Sequence, residues 1–380
     1  MTSSVAPPPA LAGHLPREGG GVGVDLTACW RPRVGMMTLA IELTRQLLAQ
    51  AGDRGRLTLF CSRERPAGLE SAGARAVLSP WRHELLNKLR WLPAVEAAAG
   101  LDAMLYPYWP SPPRRRPGAP PAAVFVHDLA FRVRPDEVPW QQRAYMGSVL
   151  PSSLRHAAAV IAPSEATRRD LLLHYPIPGL AERSRVVPEG RSLDHVDPGP
   201  LPEGLVPGCF LLAVGTIEPR KNYPRLLQAY RRLRDLGVSQ PLVVAGKVGW
   251  AYGRALDELR HEPGVRLLGH VNDPTLRALY QSASVLAFPS LYEGFGLPLL
   301  EAFAEGLPAV VGASGALPEL AGEAALLVDP LDHHAIAAAL ERVLTDQELR
   351  AKLSAAGRER AAAYTWEAAG QAVQNILESL

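Results

Sequence analysis

Short apolar runs rich in Val, Leu and Ile alternate along the chain with longer stretches whose apolar positions recur at helical spacing, the pattern of βα units feeding a parallel sheet. The pattern occurs twice. In the first half the strand candidates are Val22–Leu26, Leu57–Cys61, Ala103–Tyr106, Ala123–His127, Ala159–Pro163 and Arg185–Val187. Between the first two, Met37, Ile41, Thr44 and Leu48 mark one buried helical face. The second half restarts with Cys209–Val214, Leu242–Ala245, Val265–Leu268, Val285–Phe288, Ala309–Val311 and Ala325–Val328, each followed by a helical segment.

All periodicity stops at Asp197-Pro-Gly-Pro-Leu-Pro-Glu-Gly-Leu-Val-Pro-Gly208. Its prolines remove backbone donors and its glycines favour turns, so residues 197–208 read as a linker. The predicted organisation is α/β: a disordered tail over 1–20, a first doubly wound domain over 21–196, the linker, and a second such domain over 209–363. Residues 364–380 are expected to form a helix that packs back on the first domain. The segment Trp81–Leu92 carries Trp81, Leu85, Leu89 and Leu92 near helical spacing and is expected to pack into the core, with a membrane-interfacial role as the alternative. Pro110–Pro121, with Arg114, Arg115 and Arg116, reads as an exposed loop.

A chain of 380 residues with 47% hydrophobic and 21% charged content has ample material for two cores. It contains no apolar run of the roughly 18 residues needed to cross a membrane. Cys29, Cys61 and Cys209 are odd in number and scattered, which fits a reducing cytoplasm better than a disulfide framework or a zinc site. Net charge is only +2, yet residues 1–190 hold 23 Lys and Arg against 16 Asp and Glu, leaving 17 against 22 for the rest. The two halves differ in sign, as expected if one half meets anionic acceptors or if the first simply carries an Arg-rich solvated surface.

Open α/β sheets bind ligands outside the carboxyl ends of their strands, so chemistry is sought in the loops there. Gly19-Gly-Gly-Val-Gly-Val24 precedes its strand instead of following it, which argues against a dinucleotide fingerprint. Glu293-Gly-Phe-Gly-Leu-Pro-Leu-Leu-Glu301 does follow one. Gly294 and Gly296 let the backbone approach a ligand, and Pro298 suits a first helical turn whose free N–H groups attract an anion such as a diphosphate. Glu301, one turn in, is placed to accept from ribose hydroxyls, and Glu293 to face a sugar. The loop Gly215-Thr-Ile-Glu-Pro-Arg-Lys-Asn222 follows the first strand of the second half and sets Arg220 and Lys221 beside a helix start. Two cations there can neutralise a diphosphate leaving group without a metal. In the first half, Val124-Phe-Val-His-Asp-Leu-Ala130 places His127 and Asp128 at a strand end. His127 could hydrogen-bond a bound sugar or a developing charge, and Asp128 could fix its tautomer or meet a second substrate.

The run Pro-Ser-x-x-Glu-Gly-Phe-Gly-Leu-Pro-x-x-Glu, spanning Pro289 to Glu301, resembles the signature of glycosyltransferase family 4. Ala162-Pro-Ser-Glu-Ala166, Val186-Val-Pro-Glu-Gly190 and Gly312-Ala-Ser-Gly-Ala-Leu-Pro-Glu319 extend the resemblance over about residues 22–380, with Glu189 where Asn is usual. The resemblance implies the GT-B fold, two facing Rossmann-like domains with a cleft between them, and retaining, metal-independent transfer from a nucleoside diphosphate sugar. It implies that Glu293 lies near the donor sugar and that Glu301 binds the ribose. His127, Arg220, Lys221 and Glu293 are then the catalytic candidates. Gly35, Asp128, Gly215, Thr216, Gly294, Phe295, Gly296, Leu297 and Glu301 join Arg220 and Lys221 around the donor, with no metal, cofactor or nucleic acid. Gly35 resembles the glycine of a loop that approaches the donor phosphates, and Thr216 stands where many members have arginine. The Gly-Thr-x-Glu-Pro-Arg-Lys-Asn form is most similar to the mannosyltransferase branch, which suggests GDP-mannose and a saccharide or lipid-linked acceptor. UDP-glucose and UDP-N-acetylglucosamine are the alternative donors, and a non-catalytic nucleotide-sugar-binding protein or an epimerase the alternative activities.

Overall fold

The computed structural model describes residues 20–29, 35–51, 57–69, 73–81, 83–108, 110–250 and 253–380. The first sheet is built from β1 (Val22–Leu26), β2 (Leu57–Ser62), β3 (Arg75–Ser79), β4 (Ala103–Tyr106), β5 (Ala122–Phe125), β6 (Ala159–Ala162) and β7 (Ser184–Val186), in the order 3-2-1-4-5-6-7. The second comprises β8 (Leu211–Val214), β9 (Leu242–Ala245), β10 (Val265–Gly269), β11 (Val285–Phe288), β12 (Ala309–Gly312) and β13 (Leu326–Val328), in the order 10-9-8-11-12-13. The strand pairs are parallel. Central strands such as β5, β8 and β11 are buried throughout, which is why they read as unbroken apolar runs.

Each sheet has a core on both faces. Val24, Leu59 and Phe125 belong to one face of the first domain, Val124, Leu150 and Leu154 to the other. In the second domain Leu212, Phe288 and Phe303 pack on one side, Leu211, Tyr230 and Leu340 on the other. The last helix, Trp366–Glu378, contributes Trp366, Val373 and Leu377 to the first domain's core and packs along the helix Gly35–Ala51. The linker lies against the second domain, where Gly199 N donates to Pro274 O at 2.8 Å and Gly208 N to Ser282 O at 2.7 Å.

Local chemistry sets the helix starts. The side chains of Ser164, Asn272, Asp332, Asp346 and Thr365 each accept from an N–H of the turn that follows. Two sequence expectations are corrected. β3 escaped the sequence pattern because it is a five-residue edge strand whose Leu78 is exposed. Within Trp81–Leu92, Leu85 and Leu89 are exposed and Trp81 is only half-buried, whereas Asn87, Lys88, Trp91 and Leu92 are buried. The cause is a π-helical turn over Asn87–Trp91, which adds a residue to the turn and rotates the face that the 3.6-residue period had assigned to the core. It turns Lys88 inward onto the buried carboxylate of Asp25, and Asn87 onto Ser62 and Ser79 at the ends of β2 and β3.

Candidate active site

β8 and β11 are neighbours in the second sheet, so the loops at their carboxyl ends meet. Gly215 takes φ +141° on leaving β8, and a side-chain carbon on Gly246 would come within 1.9 Å of its carbonyl, so the loop after β9 lies directly upon it. Pro219–Lys221 makes one turn of 3-10 helix that ends in Asn222, a residue tolerated in its left-handed φ of 60°. Asn222 Nδ2 donates to Pro289 O at 2.9 Å and to Pro330 O at 2.6 Å, and Leu291 N donates to Arg220 O at 2.7 Å. These bonds clamp the loops after β8 and β11 together.

The clamp brings Arg220 and Lys221 onto Glu293. Lys221 Nζ donates to Glu293 Oε1 at 2.6 Å and Arg220 Nη1 to Oε2 at 2.8 Å, while Arg220 Nε pairs with Glu218. Glu293 is 6% exposed and Lys221 9%. Burial opposes the charge of Glu293, but Lys221 and Arg220 outweigh it and hold the carboxyl down at about 2. Burial likewise lowers Lys221 from the usual lysine range against the pull of Glu293, and raises Glu218 against the pull of Arg220. The carboxylate is therefore ionised at neutral pH and holds two donor-rich cations, with the Lys221 side chain lying against Gly215.

Gly296, at φ +112°, turns the chain into the helix Leu297–Ala304. Leu297 and Pro298 at that helix start, with Glu301 one turn on, line a cleft of about 240 Å³ together with Gly215, Thr216, Gly246 and Lys247. His270, Val271 and Asp273 also line it, as do Thr38 and Ser192 of the preceding half. Glu301 Oε2 accepts from Tyr280 OH at 2.9 Å, and burial pushes its carboxyl up to about 8. The cleft thus offers helix-start N–H groups, a lysine, and a carboxyl able to donate or accept, which suits a phosphorylated, hydroxyl-bearing guest.

Several expectations change. Phe295 is buried in the core, its ring 5.9 Å from that of Tyr364, so only its backbone is available to a ligand. Gly35 is the first residue of the helix Gly35–Ala51 and not part of the preceding loop. β5 ends at Phe125, so His127 follows the strand instead of closing it. Its Nε2 lies 2.8 Å from Pro107 O and its Nδ1 4.0 Å from Glu189 Oε1, whereas Asp128 Oδ1 accepts from Ala130 N two residues on, at 2.9 Å. Asp128 therefore does not set the tautomer of His127; Pro107 and Glu189 surround that ring. His127 nonetheless abuts the loop after β11, because a side-chain carbon on Gly294 would lie 2.0 Å from its carbonyl oxygen. Tyr280 and Asn222 were not singled out from sequence, since each acts through a contact with a residue distant along the chain, and Lys247 was not because only the fold brings it to the cleft.

Residues 208–360 match the family of glycosyl transferases group 1, and residues 35–195 match glycosyltransferase family 4. The O-antigen chain mannosyltransferase B of Escherichia coli is 34% identical over 259 residues, which are 65% of this chain and 67% of that protein. The MMP alpha-(1->4)-mannosyltransferase of Mycolicibacterium hassiacum is 34% identical over 219 residues, 56% of this chain and 52% of that relative, so the chain spans about half of its length. The sucrose-phosphate synthase of Thermosynechococcus elongatus superposes with a TM-score of 0.72 at 20% identity, covering 95% of this chain and 98% of that one, a likeness that speaks for the fold alone. With both halves matched and two parallel sheets presenting their strand ends to a shared cleft, the chain belongs to glycosyltransferase family 4 and has the GT-B fold.

Proposed function

We propose that the protein transfers a hexose with retention from a nucleoside diphosphate donor to a saccharide or lipid-linked saccharide, in the synthesis of cell-surface polysaccharide or glycolipid. The observation that carries the proposal is the convergence of Arg220, Lys221 and Glu293 beside the Gly296 helix start and the Glu301 cleft. A donor seated there would set its diphosphate against the helix-start N–H groups and the two cations, and its ribose near Glu301. As the bond from the anomeric carbon to the phosphate oxygen breaks, its electron pair leaves with the nucleoside diphosphate, whose charge Arg220 and Lys221 stabilise. The acceptor hydroxyl bonds to the same face of the sugar and can pass its proton to the departing phosphate. No protein nucleophile or metal is needed in that scheme. In this proposal His127, its ring anchored at Pro107, is the first domain's group that would touch the sugar.

Mannose from GDP-mannose is the donor this proposal favours, because two relatives are named mannosyltransferases. UDP-glucose and UDP-N-acetylglucosamine are its competitors. We place the enzyme in the cytoplasm, a compartment that suits its free cysteines. Among the described residues no helix is long and apolar enough to cross a membrane. Leu85, Leu86 and Leu89 are 41%, 40% and 50% exposed beside exposed Arg90, a surface suited to rest on an anionic bilayer that holds a lipid-linked acceptor. The test is mass-spectrometric screening of sugar nucleotides against lipid-linked saccharides, with the anomeric configuration of product read by NMR. Inverted product, or interconversion of the donor sugar without acceptor, would overturn the proposal. Flotation with anionic vesicles tests the surface, and absence of protein from the floated fraction removes it.

A further inference from the structure

The loop that carries Glu293 is gripped from both domains. Glu293 is held by Arg220 and Lys221 of its own domain. On either side of it the grip comes from the other domain: Tyr292 OH donates to Asp170 Oδ2 at 2.8 Å, and Gly294 O accepts from Ser164 Oγ at 2.7 Å and from Thr167 Oγ1 at 3.0 Å. Ser164, Thr167 and Asp170 are spaced by three residues at and along the helix Glu165–His174, so they share one face of it. Ser164 and Thr167 are buried, and the carbonyl they share lies away from water. In return, Glu319 of the second domain accepts at the start of that helix, from Glu165 N at 3.0 Å and Ala166 N at 3.1 Å.

We infer that Ser164, Thr167 and Asp170 of the first domain are positioning residues for the donor loop of the second. A trans peptide is planar, with its C=O and N–H antiparallel. Fixing Gly294 O therefore fixes the direction of the Phe295 N–H and holds Glu293 between two anchored neighbours. Docking of the domains completes the loop geometry, and an undocked second domain holds its cations and its carboxylate but not the orientation of the Gly294 peptide. The role expected is in the rate of transfer, because most of the cleft in which the proposal seats the nucleotide, Gly215, Lys247 and Glu301 included, is lined by the second domain. The inference rests on the donor reading of Glu293 given above.

Thr167→Val is the informative variant in the full-length chain. It keeps the shape of a buried side chain and removes one of two bonds to Gly294 O, and Thr167 is not the residue that caps the helix. We expect kcat to fall about two- to tenfold, the effect of one hydrogen bond. The melting temperature should fall by only about 1–6 °C, the nucleoside diphosphate affinity should stay as in the native chain, and amide exchange over residues 290–296 should accelerate. Thr167→Ser should restore both readouts, and Ser164→Ala/Thr167→Val should exceed the single variant in both. An unchanged kcat, or a slowed enzyme whose loop exchanges as in the native chain, would overturn the inference. If the native chain turned over no sugar nucleotide, the donor reading would fail, while the exchange measurement would still decide whether the first domain orders the loop.

Discussion

Replacing Glu293 by Gln keeps the shape of the side chain and removes its charge, which isolates what the carboxylate does between Arg220 and Lys221. Both oxygens are engaged in the native chain, at 2.6 Å and 2.8 Å. A carboxamide offers one acceptor and turns an NH2 group towards a cation. Arg220 keeps Glu218 as a partner, whereas Lys221 is left buried without its carboxylate. The lowering of the Glu293 carboxyl from 4.5 to about 2 corresponds to about 3 kcal/mol at roughly 1.4 kcal/mol per unit. Removing one partner of a buried ion pair typically costs about 3–5 kcal/mol, so two independent routes agree. For a domain of this size each kcal/mol moves the melting temperature by roughly 2–4 °C, and the variant should melt about 6–12 °C below the native chain at pH 7.

The sign with pH follows from the depressed carboxyl. Its stabilisation is complete above about pH 4.5 and is withdrawn as pH falls towards 2, so the gap between native chain and variant should narrow through that window. A second discriminator is the ligand. A nucleoside diphosphate brings negative charge to the two cations, so GDP or UDP should raise the melting temperature of Glu293→Gln by more than it raises that of the native chain. Differential scanning fluorimetry at pH 7 and at steps down to pH 3, with and without nucleotide, reads all three outcomes. A variant that melts with the native chain at pH 7, or whose deficit is equally large at pH 3, would refute the argument.

Lys221→Ala should lower transfer by about 10²–10³-fold with the circular dichroism spectrum unchanged, because it removes a charge that stabilises the leaving diphosphate; equal turnover would count against the assignment. Gly294→Ala puts a carbon 2.0 Å from His127 O where about 3.3 Å is the ordinary limit, so the domains must part by about 1 Å. A misplacement of that size can cost about 10²-fold in rate, so turnover should fall steeply while each domain stays folded, as steady-state kinetics and circular dichroism would show. Glu301 has its carboxyl pushed up from 4.5 to about 8 by burial, so native stability falls as pH rises through that interval and ionisation is forced. Glu301→Gln should therefore melt above the native chain at pH 8.5 and bind nucleoside diphosphate more weakly in calorimetry; a lower melting temperature there would contradict the burial argument.

What the sequence made legible and what it hid divide along physical lines. Strands β4, β9 and β11 are buried on both faces, so composition alone marks them to the residue. β3 is an edge with a half-exposed face, and a pattern that seeks continuous apolar runs passes over it. The Leu85 and Leu89 face was misassigned because a π-turn shifts the period, a backbone event that single-residue preferences do not encode. In the site, Glu293, Glu301, Arg220 and Lys221 were legible because the rule that ligands sit beyond parallel strand ends picks their loops out. The contacts of His127 were not, since Pro107 O and Glu189 reach it from two other loops. Ser164 shows the boundary most sharply. Its cap on the helix Glu165–His174 is local and follows from its place before that helix, but the same hydroxyl also donates to Gly294 O, 130 residues away. One hydroxyl can do both because an oxygen accepts through a lone pair while its hydrogen donates elsewhere. A residue that sequence explains fully by a local role is therefore still free to couple two domains, and at Ser164 the fold uses the second half of its bonding capacity to tie the donor loop to the opposite sheet.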